Sequence, residues 1–181
     1  MFAQAHYRVA KKVREVIYLE TGYQLHPFFL IGNMSPDFTP KGIRQKHYIE
    51  EMLPVLLSHI DDLKDSIELE KKRKVDRQLG EICHFLTDFF TLPHNQRWEF
   101  HHSMKPHVQY EREVNRLSKK GWSQLQTEEI IHEPKEWLTK RLYEYDGKGS
   151  PMFDLSFSER ACVEFIRHMV KTTHMKERIK E

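Results

Sequence analysis

Five side chains of the kinds that bind metal ions fall between residues 84 and 111. They follow the pattern H-x3-D-x5-H-x12-H-x3-E and are His84, Asp88, His94, His107 and Glu111. Residues four apart share a face of an α-helix, so the first pair and the last pair can each close on one ion. Imidazole and carboxylate together suit zinc and similar divalent metals. The pattern therefore favours a metal-dependent hydrolase over a helical domain without chemistry.

Three further candidates lie upstream of this stretch. His6 falls in a helical pattern, Asp37 ends the segment GNMSPD, and His47 follows Asp37 in the same punctuated region. A single H-x3-D pair is weak evidence for a metal site, because structural ion pairs use the same residue types. Two pairs with another histidine between them are much less expected by chance.

The order of these residues resembles the zinc-dependent phospholipase C family, whose framework is shared with zinc-dependent single-strand nucleases. The resemblance rests on eight ligand-type residues in order and covers residues 1–115 best. It implies an all-α fold with three zinc ions in a cleft. It further implies that the first zinc is held by Asp37, His47, His84 and Asp88. The second zinc would be held by His94, His107 and Glu111.

The resemblance also implies a third zinc bound by His6 and sharing Asp88. In the family nucleases the amine and carbonyl of residue one complete this site, five positions before the matching histidine. Met1 stands five positions before His6 here. The family uses Trp at this position, so the third site departs from the family pattern.

This ligand set predicts hydrolysis of a phosphate ester, most directly a phosphodiester. Two cations a few ångströms apart lower the pKa of a water between them, and the resulting hydroxide attacks phosphorus in line with the leaving alcohol. Asp37 resembles the family carboxylate proposed to orient or deprotonate that water, so it is the candidate catalytic residue. The expected cofactor is zinc, as two or three ions, although iron or manganese would also suit the ligands.

Two alternatives stay open. The metals could be structural, or the activity lost, and the domain would then bind metal without turnover. A nuclease-type activity on single-stranded nucleic acid is the other alternative, with Trp98 and Phe100 as candidate stacking residues or as ordinary packing. The substrate is expected to be a phospholipid headgroup, a nucleotide or another phosphodiester.

Length and composition fit one soluble domain over residues 1–181. The formal net charge is only +2, which gives no reason to expect a stable nucleic-acid complex or an anionic membrane as partner. The two cysteines, Cys83 and Cys162, are expected to be buried and reduced. The N-terminal sequence lacks the apolar run of a signal peptide and no window suits a membrane span, so we expect a cytoplasmic protein.

Helical periodicity dominates the sequence and predicts an all-α fold of about six or seven helices. Loops are predicted over 22–46 and 92–105. A capping box at Ser156 and Glu159 predicts the start of a last helix that runs to residue 177. Helices are predicted over 3–20, 47–72, 75–91, from Pro106 to Gly121, and over 127–144.

Overall fold

The computed structural model describes residues 1–38, 49–69, 71–98, 104–125, 131–146, 148–173 and 175. Within these ranges every regular element is a helix and no strand occurs, which confirms the predicted all-α class. There are eight helices in this part of the chain, more than the six or seven predicted. They are α1 (Ala3–Thr21), α2 (Phe28–Phe38), α3 (Ile49–Glu68), α4 (Lys72–Phe89), α5 (Leu92–Asn95), α6 (Met104–Ser118), α7 (Pro134–Tyr145) and α8 (Pro151–Thr172).

Helix α4 is the centre of the fold and packs against α1, α2, α3 and α8. Its C-terminal half is buried on every side, from Ile82 to Phe89. A helix buried all round must satisfy its polar side chains internally or use them in a site. His84 and Asp88 are two polar side chains of this buried half, and both are fully buried.

Helices α2 and α4 approach at backbone distance because each presents a glycine to the other. A Cβ built on Gly32 would lie 2.0 Å from the carbonyl oxygen of Arg77, and one on Gly80 would lie 2.1 Å from the carbonyl oxygen of Phe29. Any side chain at either position would force the helices apart. The close approach brings the backbone of α2 within hydrogen-bonding reach of α4.

The loop predicted over 22–46 is wrong for the segment that forms α2. The apolar residues after Pro27 bury Phe29 and Gly32 against α4, and this packing outweighs the low helix preference of glycine and proline. Pro36 lies inside the helix and cannot donate to the Gly32 carbonyl. The hydroxyl of Ser35 donates to that carbonyl instead, at 3.2 Å.

The capping box predicted at Ser156 and Glu159 is also wrong. Helix α8 begins earlier, at Pro151, where the Ser150 hydroxyl accepts a hydrogen bond from the Phe153 N–H. Ser156 lies inside the helix and its hydroxyl donates to the Met152 carbonyl. Both positions are buried against other helices, and an S-x-x-E pattern carries no information about that.

Smaller boundary differences have local causes. Pro93 opens the one-turn helix α5 inside the loop predicted over 92–105. Helix α7 begins at Pro134, where Glu133 caps it by accepting from the Lys135 N–H, and residues 127–130 of the predicted helix lie outside the described residues. Pro54 lies inside α3, which is already helical at Ile49. Cys83 and Cys162 are both free and fully buried, as predicted.

Candidate metal centre

Four helices in addition to α4 bring ligand-type side chains to one place. The predicted residues form two groups in which the nitrogen and oxygen atoms of each lie within 4.8 Å of one another. One group is His6, Asp37 and His84, and the other is His94, His107 and Glu111. His47, a predicted ligand of the first zinc, lies outside the described residues.

The carboxylate of Asp88 joins the two groups. Its Oδ1 lies 3.2 Å from His6 Nε2, and its Oδ2 lies 3.3 Å from His84 Nε2. On the other side, Oδ1 lies 3.8 Å from His94 Nε2. Asp88 is fully buried beside these neighbours and the N-terminus. It is the residue through which the two groups share one centre.

The amino group of Met1 occupies the middle of this centre. It donates to Asp88 Oδ1 at 2.6 Å and lies 3.0 Å from His94 Nε2 and 3.1 Å from Glu111 Oε1. The Met1 amine was predicted next to His6 and Asp88, and the structure brings it to the second group as well. A buried cation surrounded by two carboxylates and an imidazole shows that this position favours positive charge.

Asn33 of α2 fixes the orientation of His84. The ring nitrogen Nδ1 of His84 donates to the backbone carbonyl of Asn33 at 2.9 Å, which directs Nε2 at Asp88. In the amide orientation that satisfies both neighbours, the Asn33 side chain donates to the backbone carbonyl of His6 at 3.0 Å. It accepts from the backbone N–H of His84 at 3.2 Å. Asn33 therefore ties α1, α2 and α4 together behind the first group.

The second group is built on one oxygen. Glu111 Oε1 lies 2.9 Å from His107 Nε2, one helical turn earlier, and 3.0 Å from His94 Nε2 on α5. The rings of His94 and His107 meet edge to face, with centroids 5.0 Å apart. Their Nε2 atoms thus converge from two elements onto the same carboxylate.

Electrostatics keep these groups in the protonation states that a metal needs. Burial, together with neighbouring His84, lowers the pKa of His6 to about 4. Burial and the Met1 amine lower the pKa of His94. Burial alone would raise the pKa of Asp88 and of Glu111, but the amine and the histidines hold both well below their usual range.

The amine itself is held in its charged form. Burial lowers the pKa of the Met1 amine, but Asp88 and Glu111 outweigh this effect and raise it to about 11. Neutral imidazoles beside ionised carboxylates are the donor set of zinc sites, because the ligands must bind without their protons. The residues present therefore fit zinc.

The rim of the centre is partly open. The side chain of Asp37 is 24 % exposed, and its Oδ1 lies 3.7 Å from His84 Nε2. Arg97, just after α5, pairs with Glu50 and with Glu51 Oε1 at the start of α3. Arg97 has a positive φ of 52°, which is uncommon for a residue other than glycine. This pairing joins the segment after His94 to the start of α3.

Two sequence candidates near the rim have different outcomes. Trp98 packs edge to face on Tyr110 of α6, with centroids 5.4 Å apart, so it contributes to packing of the loop on α6. Phe100 lies outside the described residues. The sequence reasoning missed Asn33, although it lies in the GNMSPD segment that contains Asp37. The pair Gly32 and Asn33 could have indicated it, because a glycine allows close helix packing and the asparagine amide can both donate and accept hydrogen bonds.

In the described part of the chain, an all-helical frame brings two histidine–carboxylate groups together on either side of one carboxylate, as in a candidate centre for more than one metal ion. The family model described as zinc dependent phospholipase C matches residues 5–169. The chain belongs to this family, which confirms the resemblance found in the sequence. No curated protein and no solved structure gives a significant match. Among the described residues, no helix has the length and apolar character needed to cross a bilayer.

Proposed function

We propose that the chain hydrolyses phosphodiesters with two zinc ions, each bound by residues from one of the two ligand groups. The observation that carries the proposal is the Asp88 carboxylate, which lies between the first group (His6, Asp37, His84) and the second (His94, His107, Glu111). Ions in two groups joined by one carboxylate lie close enough to act on one phosphate.

The proposed ligands follow the family pattern. Asp37, His47, His84 and Asp88 hold the first zinc, and His94, His107 and Glu111 hold the second. A third zinc would use His6, Asp88 and the Met1 amine, which has to lose its proton to bind the ion. When bound, a pair of zinc ions lowers the pKa of water held between them and offsets the charge that develops on the phosphate oxygens.

The chain's own residues supply position and proton transfer. Asp88 and Glu111 are ionised and buried, so they hold cations without competition from solvent. Asp37 is the least buried carboxylate of the two groups, and it is accessible to both water and substrate. We assign Asp37 the role of orienting the attacking water or accepting its proton, beside its role as a ligand.

Catalysis is favoured over a structural role for the metals by the size of the second group. Structural zinc sites are closed by four protein ligands, whereas catalytic sites keep a position for water or substrate. His94, His107 and Glu111 are three ligands. The proposed substrates are phospholipid headgroups, nucleotides or other small phosphodiesters, and the near-neutral net charge of +2 does not favour long nucleic acids.

The test combines metal analysis with a substrate panel. The untagged protein is analysed for bound metals by plasma mass spectrometry and assayed on phosphodiesters and phosphomonoesters of lipid and nucleotide type. We expect at least two zinc equivalents per chain and hydrolysis of at least one phosphodiester. Two bound zinc ions without hydrolysis of any member of the panel would support the structural alternative. A protein that binds no zinc would exclude the enzyme proposal.

The His107→Ala variant is the internal control of this test. It removes one ligand of the second group and is expected to lose one zinc equivalent and the activity together. His59→Ala is the matched variant outside the centre, because His59 is a half-buried helical histidine on α3 that pairs with Glu81. It is expected to keep both zinc and activity.

A further inference from the structure

Asp154, on the first turn of α8, is a buried carboxylate that belongs to neither ligand group. Its side chain is fully buried. Three donors converge on it: the backbone N–H of Leu92 at 3.0 Å, the Tyr110 hydroxyl at 2.7 Å and the Tyr145 hydroxyl at 2.6 Å. A carboxylate with this many directed donors is fixed in one orientation and fixes its donors in turn.

Two of these donors come from the elements that carry the second ligand group. Leu92 is the first residue of α5, two positions before His94, and Tyr110 precedes Glu111 on α6. Both donate to the same oxygen, Oδ2 of Asp154. The separation between α5 and α6 at this level is therefore set through a single oxygen atom.

The other oxygen is held from the opposite side. Tyr145 of α7 donates to Oδ1, and Gly149 closes the remaining space. A Cβ at Gly149 would lie 2.3 Å from the Tyr145 hydroxyl, 2.7 Å from Asp154 Oδ1 and 3.0 Å from Leu92 Cβ. Asp154 is closely packed on this side, so its hydrogen bonds hold α5 and α6 in fixed positions.

The geometry points to Asp154 as a positioning residue for the second metal, acting through Leu92 on His94 and through Tyr110 on Glu111. This inference rests on the proposed function, since it concerns a metal that His94, His107 and Glu111 would bind. His94 is on a helix of one turn, which has little stability of its own. An anchor at its first N–H is what holds His94 at 3.0 Å from Glu111.

A positioning role predicts a selective effect on one metal. Second-sphere hydrogen bonds to metal ligands typically change affinity by about 10- to 100-fold when removed. Asp154→Ala is expected to weaken the second metal by about 10- to 100-fold and to leave the first within about twofold. The first group is held by Asn33 and α4, and none of the three donors to Asp154 belongs to α2 or α4.

The measurement is stepwise titration of the metal-free full chain with Co²⁺ and Zn²⁺ against a competing chelator. Co²⁺ also gives a visible absorption band whose shape reports the coordination geometry. His107→Ala defines which binding step and which band belong to the second group. The wild-type titration separates the two proposals: if wild type shows no step that His107→Ala removes, the proposed function fails before Asp154 is tested.

Conservative and neighbouring variants separate positioning from simple stability. In Asp154→Asn the amide oxygen can still accept from Leu92 and Tyr110, so we expect affinity and the Co²⁺ band to return to within about threefold of wild type. Tyr145→Phe removes one bond to Asp154 but no hydrogen bond between Asp154 and α5 or α6, and it is expected to lower stability without changing the second metal. Tyr110→Phe is expected to weaken the second metal.

Two results would overturn the inference. One is an Asp154→Ala protein whose two metals weaken equally or not at all. The other applies if Asp154→Ala does not fold: the pair Tyr110→Phe and Tyr145→Phe then decides, and equal second-metal affinities in that pair would show that Asp154 has no positioning role.

Discussion

The backbone carbonyl of Asn33 accepts a hydrogen bond from Nδ1 of His84 at 2.9 Å, which links two helices that each present a glycine at their crossing. The bond exists because Gly32 and Gly80 let α2 approach α4 at backbone distance. A histidine whose Nδ1 is satisfied by a carbonyl presents Nε2 to the metal. The close packing of α2 on α4 therefore also fixes the orientation of the ligand His84.

Gly80→Ala should disturb both stability and the metal centre. The added methyl would lie 2.1 Å from the Phe29 carbonyl oxygen, so α2 must move away from α4. Overpacking of this kind costs about 1–3 kcal/mol or more. Urea unfolding of the metal-free chain, with zinc affinity measured beside it, is expected to show both losses. Alanine is intrinsically better than glycine in helices by about 1 kcal/mol, so a more stable variant would contradict the close packing.

Extending the chain before Met1 should destabilise the protein even without zinc. The Met1 amine lies 2.6 Å from Asp88 and 3.1 Å from Glu111 in a buried position. A Gly-Ser extension displaces this charge and leaves two buried carboxylates without it, and breaking a buried ion pair costs about 3–5 kcal/mol. The free energy of unfolding in urea measures the effect. The same dipeptide added after Glu181 is the control, and equal stability of the two extended chains would exclude the buried amine.

Asp37→Asn should separate metal binding from turnover. The amide oxygen can still bind a metal, but it cannot accept a proton at neutral pH. General-base catalysis is typically worth about 100- to 10,000-fold, so kcat should fall by about 100-fold or more with zinc content nearly unchanged. Asp61→Asn is the control, because the Asp61 side chain is 77 % exposed on α3. An unchanged kcat in Asp37→Asn would remove Asp37 from the catalytic step.

The spacing of ligand-type residues indicated which side chains lie side by side in the fold, and their binding of metal stays a prediction. His84 and Asp88 had to share a face once α4 was a helix, and so did His107 and Glu111. The order of ligand residues in the family then related the two pairs to each other, which helical periodicity cannot do because they lie on different helices. His94 was included by this order alone, because a one-turn helix opened by Pro93 gives no periodic signal.

The residues that support the ligands could not be predicted in the same way. Asp154 lies 43 positions from Glu111 in the sequence, and its role depends on where α8 packs. The wrong loop over α2 has the same origin, since Gly32 and Pro36 break helical patterns locally and are accepted only because α4 packs against them. Tertiary contacts decide such positions, and a single sequence does not contain them.

His84→Ala should remove metal from the first ligand group without removing it from the second. His84→Ala removes a ligand from the first group, and it also leaves the Asn33 carbonyl without its donor in a buried place. The lost hydrogen bond is worth about 0.5–1.5 kcal/mol, so His84→Ala should lower the stability of the metal-free chain in addition to its zinc content. Plasma mass spectrometry after dialysis checks the zinc content. A His84→Ala protein with full zinc content would show that His84 is not a ligand.

The contribution of Asp154 to the stability of the metal-free protein should fall between about pH 4 and pH 6. Burial raises the pKa of Asp154 from 3.8 to about 6, although bonds from Tyr145, the Leu92 N–H and Tyr110 act in the opposite direction. The folded chain thus keeps a proton that the unfolded chain releases, and stability contributed below the unfolded pKa is lost as pH rises through the folded value. Burial beside Asp154 raises the pKa of Tyr110 and Tyr145, so both hydroxyls stay protonated throughout.

A shift of about two pKa units corresponds to about 3 kcal/mol. Asp154→Asn has no proton to lose, so its stability relative to wild type should improve by an amount of this order between pH 4 and pH 7. Urea unfolding of both zinc-free proteins at unit pH steps gives this difference, in which the titration of every other group cancels. Parallel stability curves for the two proteins would mean that Asp154 titrates at its ordinary pKa in the folded chain, and its burial by α5, α6 and α7 would then be wrong.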